Sequence, residues 1–471
     1  MMTLMTETSS AILLGDGPDP LEVLAQWPEQ KPLAALVTAR GGSSTARWSI
    51  LSAPRGVIHP DTSENAGPDS STRFDCRPEL EPDSDPDTPP FRGGRLFALT
   101  YELGRRFEPK AGNGPMPAPD EDFPEGAIML ECPSALVHDR DLGRWWFVGD
   151  PHDRAELTAC LEIKAPESRE RPWISPLEPE TGDAEFAERV SRTIDYIHAG
   201  DLFQANITRR YSAAARLPER TDRRAFSASL ILKSQAWFGA HIELPSQGHS
   251  DRTLISLSPE LFLQYDPTTR ILRTRPIKGT LPAGEDPAKL LASEKDAAEL
   301  AMIVDLMRND LGRISEPGSV VVETGRVIES HPGVIHGVAE VAGRLREGME
   351  LDDVLRATFP PGSITGAPKI RAMQVIDEFE TVQRGPYCGA LGFQSSCGHM
   401  ALDVSIRTLD LVPVSMDAGD WQTHQLRYGA GCGIVADSDP MAETVECDTK
   451  ARLLRDYITT HCSQPGKLTV E

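Results

Sequence analysis

Short strand-like segments recur along much of this chain, and they constrain its fold more than any other feature. Alternating apolar and polar residues, or short apolar runs bounded by turn residues, predict strands. They do so at Ala127–Glu131, Ala135–Asp139, Trp237–Leu244, Thr253–Leu257, Leu261–Tyr265, Ser319–Glu323, Arg326–Ser330 and Ala401–Leu409. A helical pattern spans Leu351–Thr358. Helical patterns are scattered among the strands, and the strand, G-x-G-x-x-G and helix of a dinucleotide-binding fold are absent. The sequence therefore predicts an α+β or layered α/β fold and argues against a Rossmann fold.

Two polar, proline-rich segments divide the chain. Residues 59–90 are rich in Asp, Glu, Pro and Ser and carry almost no large apolar groups, so burial cannot offset their ordering entropy. We predict that this acidic segment is flexible. The run from Pro166 to Gly182 is a second such segment and predicts a linker or crossover. These boundaries give an N-terminal region at 1–165, with the insert at 59–90, and a catalytic region at 183–471.

Composition narrows the classes of function. The formal charge of −23 argues against a nucleic-acid partner. No apolar run approaches the roughly 20 residues of a membrane span, and Met1–Ser10 lacks the basic and apolar parts of a signal peptide. The eight cysteines are scattered without a CxxC pair, which favours reduced, mostly structural thiols. We therefore predict a cytoplasmic protein without a membrane or nucleic-acid partner.

The stretch from Arg275 to Asp310 combines a lysine with paired carboxylates. In Pro-Ile-Lys-Gly-Thr, Lys278 lies between a proline that fixes φ and a glycine that permits unusual backbone, which predicts a rigid turn. In the helical pattern that follows, Asp296 and Glu299 lie three residues apart and share one face. This arrangement indicates amine chemistry beside a hard cation. The alternative is a solvated lysine near an ordinary wet helix face.

The last predicted helix, Pro440–Tyr457, carries a second acidic face. Glu443, Glu446 and Lys450 follow one another at three- and four-residue steps. Two facing acidic helices could hold a magnesium ion, which prefers oxygen ligands and keeps several waters. The alternative is two separate solvated faces, because the sequence alone does not show that the helices meet.

The sequences of several segments resemble those of the chorismate-utilising enzymes, in particular the aminodeoxychorismate synthase component I branch. These segments are RPIKGT at 275–280, DLFQANITRR at 201–210, FPPGSITGAPK at 359–369 and YGAGCGIV at 428–435. The resemblance covers most of residues 91–460, and it implies large, mostly antiparallel sheets flanked by helices. In that family Pro-Ile-Lys-Gly-Thr marks the aminodeoxychorismate branch, whereas the related anthranilate synthases carry alanine in place of Lys278.

The resemblance also implies roles for individual residues. The implied catalytic residues are Lys278 as nucleophile, Glu260 as general acid or base and His336 near the departing hydroxyl. The implied substrate-binding residues are Ser363, Thr365, Tyr387, Arg407, Gly431, Gly433 and Lys450. The implied magnesium ligands are Glu299 and Glu446, with Asp296 and Glu443 acting through water.

The implied reaction is the amination of chorismate. Neutral Lys278 would attack ring carbon 2 while the hydroxyl on carbon 4 leaves as water, and ammonia would then add at carbon 4 and expel the lysine. The chain contains no glutamine amidotransferase pattern, so a separate glutaminase subunit is expected to supply the ammonia. The alternatives are anthranilate or isochorismate synthase chemistry, or a catalytically silent subunit that binds the glutaminase.

Overall fold

The computed structural model describes the chain apart from a set of terminal and loop residues. The residues it leaves out are 1–10, 40–45, 61–73, 75–79, 82–84, 86, 113–119, 121, 125, 164–168, 171, 218, 245–250, 283, 332–333, 417–421, 463–466 and 469–471. The helices are α1 (Pro20–Gln26), α2 (Leu103–Phe107), α3 (Arg154–Thr158), α4 (Asp183–His198), α5 (Arg220–Ser234), α6 (Pro287–Ala292), α7 (Glu294–Gly312), α8 (Leu351–Thr358), α9 (Lys369–Phe379) and α10 (Pro440–His461).

The strands come from every part of the chain. They are β1 (Ile12–Asp16), β2 (Ala34–Val37), β3 (Trp48–Ser52), β4 (Gly56–Ile58), β5 (Gly94–Leu99), β6 (Ala127–Cys132), β7 (Ser134–Asp139), β8 (Arg144–Gly149), β9 (Arg169–Glu170), β10 (Trp173–Ile174), β11 (Glu178–Pro179), β12 (Gln204–Arg216), β13 (Phe238–Leu244), β14 (Arg252–Ser258), β15 (Leu261–Asp266), β16 (Ile271–Arg275), β17 (Ile277–Pro282), β18 (Val321–His331), β19 (Val334–Arg344), β20 (Gly366–Ala367), β21 (Ala390–Ser395), β22 (Met400–Asp403), β23 (Thr408–Met416), β24 (Gln422–Ile434) and β25 (Lys467–Leu468).

Two large sheets contain nearly all of these strands. The first has the order β1-β8-β7-β3-β2-β13-β14-β23-β24-β12-β10, with β11 and β20 also paired to β12. The second has the order β17-β19-β16-β15-β22-β21-β5-β6-β4, with β18 also paired to β19. Neighbours along both paths run antiparallel, for example β12 with β24 and β17 with β19. The predicted α+β class with large antiparallel sheets is confirmed.

Buried apolar side chains join the two sheets and attach the helices. One cluster contains Ile50 and Val137 from the first sheet together with Leu96 and Phe393 from the second, so the sheets pack against each other there. Helices α4 and α10 contact the β12–β24 pair, whereas α7 contacts β17 and β19. Among the described residues, no helix is long and apolar enough to cross a membrane.

The structure changes three of the local predictions. Residues 276–280 are not a turn, because 277–282 pair with β19 as an extended strand. The segments 319–323 and 326–330 lie within one strand, β18, whose register shifts where it pairs with β19. The strand expected at 401–409 is divided into β22 and β23, because the chain leaves the second sheet after Asp403 and enters the first at Thr408.

The two predicted regions share both sheets. β2 pairs with β13, and β5 pairs with β21, so strands from each side of the 166–182 segment lie next to each other. The division into 1–165 and 183–471 stays a prediction. Most of the acidic insert at 59–90 lies outside the described residues. Within it, Phe74 is buried and packs against Phe97 and Phe107.

A buried ion pair links α5 to β13. Arg224 Nε and Nη2 donate to the two carboxylate oxygens of Glu243 at 2.7 and 2.8 Å, and the Leu33 amide donates to the same carboxylate at 3.0 Å. Burial opposes the charge of Glu243. Hydrogen bonds from His241 and Arg224 nevertheless hold its pKa well below the ordinary value. The pair therefore depends on both partners, because either charge left alone would be buried without compensation.

Replacing Glu243 with glutamine should destabilise the fold strongly. The change leaves the guanidinium of Arg224 buried without its counter-charge, which costs about 3–5 kcal/mol of unfolding free energy. Urea denaturation followed by circular dichroism measures the loss. The control is Asp305→Asn, which removes an exposed pair with Arg308 and should leave the midpoint unchanged. Equal shifts in the two variants would contradict the assignment.

Candidate functional site

Glycines at every second position form one face of β24. Gly429, Gly431 and Gly433 point to the same side, because successive residues of a strand alternate between faces. A Cβ built on Gly429 would lie 2.1 Å from the ring of Tyr387, and one on Gly431 would lie 2.5 Å from Thr208 Cγ2. Any larger residue would collide with these side chains. The glycines are therefore required by close packing on a strand, not by a turn.

The pairing of β24 with β12 leaves the Gly431 and Gly433 amides pointing away from β12. Thr208 lies opposite Gly431, but its N–H donates to Glu380 Oε1 at 2.8 Å. Asn206 lies opposite Gly433, and its N–H donates to the Thr365 carbonyl at 2.8 Å. Both are non-hydrogen-bonded pairs, in which the backbone groups point outward.

The outer edge of β24 is open at this point. Pairing with β23 extends along β24 only to Tyr428, so no described strand covers residues 430–434 on that side. The Gly431 carbonyl on the same edge accepts from Lys450 Nζ at 2.7 Å. The outward amides of Gly431 and Gly433 can thus donate to an anion.

Lys278 lies on a bulged edge strand. β17 pairs with β19, and the register shifts between Lys278 and Thr280. Gly279 sits at the shift with φ +80°, a conformation that favours glycine. A Cβ there would lie 3.0 Å from Asp296 Cγ, so the bulge packs directly against the start of α7. The bulge therefore fixes the lysine beside the first acidic helix.

The lysine amine meets β12 and β24 at Gly433. A Cβ built on Gly433 would lie 3.2 Å from Lys278 Nζ and 2.2 Å from Gln204 Nε2. Gln204 is buried, and within the described part of the chain its Oε1 has no hydrogen-bond partner. A buried amide oxygen without a partner is costly, so it is expected to accept from a ligand. Gln204 lies in the segment DLFQANITRR, which resembles the family, but no role was predicted for this residue.

Glu260 lies buried next to the lysine. Burial raises the pKa of its carboxyl to about 7, against the opposing effects of a hydrogen bond from Ser363, the charge of Lys278 and the Ile277 amide. A carboxyl with this pKa can hold or release a proton near neutrality. Ser363 belongs to a short turn at Gly362–Ile364. A Cβ on Gly362 would lie 2.4 Å from Met307 Cε of α7, so the turn packs tightly on the acidic helix.

The acidic faces of α7 and α10 do meet. Lys295 Nζ lies 4.0 Å from Glu299 Oε1 and 3.9 Å from Glu443 Oε1, so one ammonium lies between the two helices. Burial, with smaller effects from Asp296 and Glu443, raises the pKa of Glu299 above its ordinary value. Ligand atoms of Glu443 and Glu446 lie within 4.8 Å of each other. Crowded carboxylates supply the oxygen donors that a magnesium ion prefers, so these residues fit such an ion.

Lys450 and Arg407 are the two cations among the predicted substrate-binding residues. Lys450 Nζ is 2.8 Å from Glu446 Oε1. Burial raises the cost of ionising Glu446, but the charge of Lys450 outweighs it and lowers the pKa of that carboxyl. Arg407 is half-buried, and burial lowers the pKa of its guanidinium. Among the described residues Arg407 has no carboxylate within 4 Å, so an anionic ligand would complete its environment.

The remaining predicted residues occupy distinct places. His336 is buried on β19 opposite Thr280, and it lines a cavity of about 20 Å³ together with Arg407 and Ile277. Thr365 is also buried, and its hydroxyl donates to the Pro361 carbonyl at 3.1 Å, so its position indicates a structural contribution to the loop.

Tyr387 covers Gly429 at a different cavity. That cavity has a volume of about 330 Å³, and six of its eighteen lining residues are arginines, among them Arg209, Arg384 and Arg427. Tyr387 and the Lys278 amine thus lie over the same face of β24, but at Gly429 and Gly433, four residues apart along the strand. The part assigned to it in substrate binding stays a prediction.

Comparison with known proteins agrees with this arrangement. The sequence profile of the family described as "chorismate binding enzyme" matches residues 43–456. The chain belongs to this family. The predicted resemblance to chorismate-utilising enzymes is confirmed.

Named relatives fall into two groups. Aminodeoxychorismate synthase component 1 of Klebsiella aerogenes is 39% identical over 376 residues, covering 78% of this chain and 77% of that protein. Anthranilate synthase component 1 of Streptomyces coelicolor is 36% identical over 399 residues, covering 78% and 73%. Sequence identity alone therefore does not clearly distinguish aminodeoxychorismate synthase from anthranilate synthase.

Solved structures support the fold. Anthranilate synthase component I from Streptococcus pneumoniae superimposes with a TM-score of 0.69 at 28% identity, covering 95% of this chain and all of that one. The menaquinone-specific isochorismate synthase MenF from Escherichia coli gives a TM-score of 0.64 at 17% identity, covering 96% and 95%. The similarity to MenF, at 17% identity, supports the fold alone.

The raised pKa of Glu260 predicts a pH-dependent stability difference. Between about pH 4.5 and about pH 7 the folded protein holds this proton more tightly than the unfolded chain does. The wild type should therefore lose thermal stability relative to Glu260→Gln as the pH rises through that window. Unfolding midpoints of both proteins between pH 4.5 and pH 7.5 measure this difference. A pH-independent difference would show that Glu260 titrates normally.

Proposed function

We propose that this protein converts chorismate and ammonia into 4-amino-4-deoxychorismate, as an aminodeoxychorismate synthase component I. The observation that carries the proposal is the position of Lys278. Its amine lies at Gly433 beside the buried amide of Gln204, and Glu260 is near enough for their charges to interact. The product would serve 4-aminobenzoate and folate biosynthesis after a separate enzyme releases pyruvate.

Lys278 acts as the nucleophile in this proposal. The neutral amine attacks ring carbon 2, the double bond shifts and the hydroxyl on carbon 4 leaves as water. Glu260 supplies the proton for the departing hydroxyl, and the buried His336 lies on the strand opposite the lysine. Ammonia then attacks carbon 4, the double bond returns and the lysine leaves. Gln204 is suitably placed to accept a hydrogen bond from either amine.

The two carboxylates of chorismate require two anion-binding regions. One is formed by the outward amides of Gly431 and Gly433 with Arg407, which provide donors without a competing carboxylate. The other is formed by the acidic residues of α7 and α10. Because those residues repel an anion by themselves, they would need to hold a divalent cation in order to bind the second carboxylate.

Magnesium is the cation we propose. Glu299, Glu443 and Glu446 would hold it, with Asp296 at the edge of the group. When bound, it neutralises the carboxylates and orients a substrate carboxylate. The Lys295 ammonium lies between Glu299 and Glu443 in the structure. It would have to turn outward to make room for the ion, and its half-exposed side chain allows this.

A partner subunit is expected to supply ammonia. The relatives that carry the name component 1 imply a second component. We propose that it is a glutamine amidotransferase. We also propose that the protein is cytoplasmic, in keeping with its scattered cysteines without a CxxC pair.

Anthranilate synthase chemistry is the second candidate. It is favoured by the identity to anthranilate synthases and by the superposition on one of them. Against it stands Lys278, because that branch carries alanine at this position.

The product distinguishes the candidates. Purified protein incubated with chorismate, magnesium and ammonium chloride should form 4-amino-4-deoxychorismate, identified by mass spectrometry and by conversion to 4-aminobenzoate with an added lyase. Glutamine should not replace ammonium unless a glutaminase subunit is added, and a chelator should stop turnover. Anthranilate or isochorismate as the main product would reject the proposal. No turnover even with the glutaminase would favour a silent subunit.

Lys278→Ala tests the covalent step. It should slow amination on the order of 100-fold or more, because the nucleophile is removed. Without ammonia, wild-type protein should gain the mass of chorismate less water, and the variant should not. Lys289→Ala is the matched control, since Lys289 is exposed and pairs with Glu285. Unchanged turnover in Lys278→Ala would remove the covalent step from the mechanism.

A further inference from the structure

Two chain crossings between the sheets run side by side at the candidate site. One connects β14 of the first sheet to β15 of the second, and the other connects β22 of the second sheet to β23 of the first. The Val404 amide donates to the Glu260 carbonyl at 3.0 Å, and the Ser258 hydroxyl donates to the Val404 carbonyl at 2.7 Å. The first crossing ends at Glu260 and the second contains Arg407. These hydrogen bonds therefore fix the two residues relative to each other.

A buried carboxylate joins the second crossing to both sheets. Asp403 lies where that crossing begins. Its Oδ1 accepts from the Leu391 amide at 2.7 Å and from the Ser405 hydroxyl at 2.9 Å, and its Oδ2 accepts from the Ser256 hydroxyl at 3.0 Å. Leu391 belongs to β21 of the second sheet, whereas Ser256 belongs to β14 of the first. The segment that leads to Arg407 is thus held from both sides.

That segment contains a backbone conformation that needs such support. Arg407 has a φ of +53°, in the left-handed region that residues other than glycine rarely adopt. Its carbonyl accepts from the Leu257 amide at 3.1 Å, which attaches it to β14. Conformations of this kind persist where the surrounding contacts hold them. If the segment relaxed, the Arg407 side chain would change direction.

We propose that Asp403 is a positioning residue that holds Glu260 and Arg407 in the orientation in which both face one substrate. It acts through the backbone of residues 404–407 and takes no part in proton transfer. This role rests on the functions proposed above for Glu260 and Arg407. It adds to them the contact that keeps the two crossings together.

The protonation of Asp403 indicates which substitution preserves its contacts. Burial raises the pKa of this carboxyl to about 7, against the hydrogen bonds that it accepts. A proton on Oδ2 can donate to Ser256 Oγ while Oδ1 keeps both of its donors. Asparagine reproduces this protonated form, with an N–H group in the place of Oδ2. Alanine instead leaves the Leu391 amide without its partner in a buried place.

Steady-state kinetics with chorismate and ammonium test the role. Asp403→Ala should lower kcat and raise the KM for chorismate, each on the order of 10-fold. The kcat falls because Glu260 acts in the transition state, and the KM rises because Arg407 holds a substrate carboxylate in the ground state as well. Asp403→Asn should recover both constants to within about threefold of the wild type. A merely structural role would reduce the folded fraction, which lowers the apparent kcat and leaves KM unchanged.

A second variant covers the case in which Asp403→Ala does not fold. Ser405→Ala removes one donor to Asp403 and should shift both constants in the same directions, on the order of threefold. Ser52→Ala is the matched control, because it removes a buried hydroxyl that donates to the Ser134 carbonyl at 2.7 Å, between β3 and β7. It should leave KM unchanged. Circular dichroism and thermal midpoints report whether each variant is folded.

The outcomes separate this role from the proposed function. An unchanged KM in the folded variants would overturn it, as would equal effects of Ser405→Ala and Ser52→Ala or a loss in Asp403→Asn equal to that in Asp403→Ala. If the wild type forms another product from chorismate, the proposed function fails, and the constants measured for that product still decide the role of Asp403. If the wild type shows no turnover, calorimetric binding of chorismate with magnesium replaces KM, and wild-type affinity in Ser405→Ala overturns the role.

Discussion

Close approach to one face of β24 is the constraint on which the site depends. Gly433 brings the Lys278 amine and the Gln204 amide together because it has no Cβ. The same strand is paired with β12 so that two of its amides face outward, away from the sheet. Packing and backbone pairing therefore place the Lys278 amine and an edge with two outward amides next to one short segment. A single larger residue in this segment would separate them.

Electrostatics complements that geometry. On one side, Glu299, Glu443 and Glu446 crowd together, and burial raises the pKa of Glu299. On the other side, Arg407 is held half-buried without a carboxylate partner among the described residues. The crowded glutamates are unfavourable alone because like charges repel, and Arg407 is unfavourable alone because a buried cation lacks solvation. In the proposed function, a divalent cation together with a substrate dianion would relieve both costs.

The sequence predicts the fold class well, and it predicts the local spatial arrangement around Lys278 poorly. Alternation and turn residues are local signals, so the strand at 237–244 and the helix at 351–358 could be recognised directly. The bulged strand at Lys278 could not, because its extended form depends on pairing with β19, some 60 residues later. Gln204 was missed for a similar reason: an isolated glutamine gives no sign that its amide will be buried without a partner.

The bulge at Gly279 also bears on which carbon of the substrate is aminated. A lysine fixed by that bulge occupies the space next to Gly433 that an alanine would leave open. In the proposed mechanism the lysine itself takes ring carbon 2, so ammonia is left with carbon 4. With alanine there, a free nucleophile could reach carbon 2 directly. In this proposal the same sheet, acidic helices and amide edge would serve both branches of the family, and the side chain at position 278 on an edge strand would select between them.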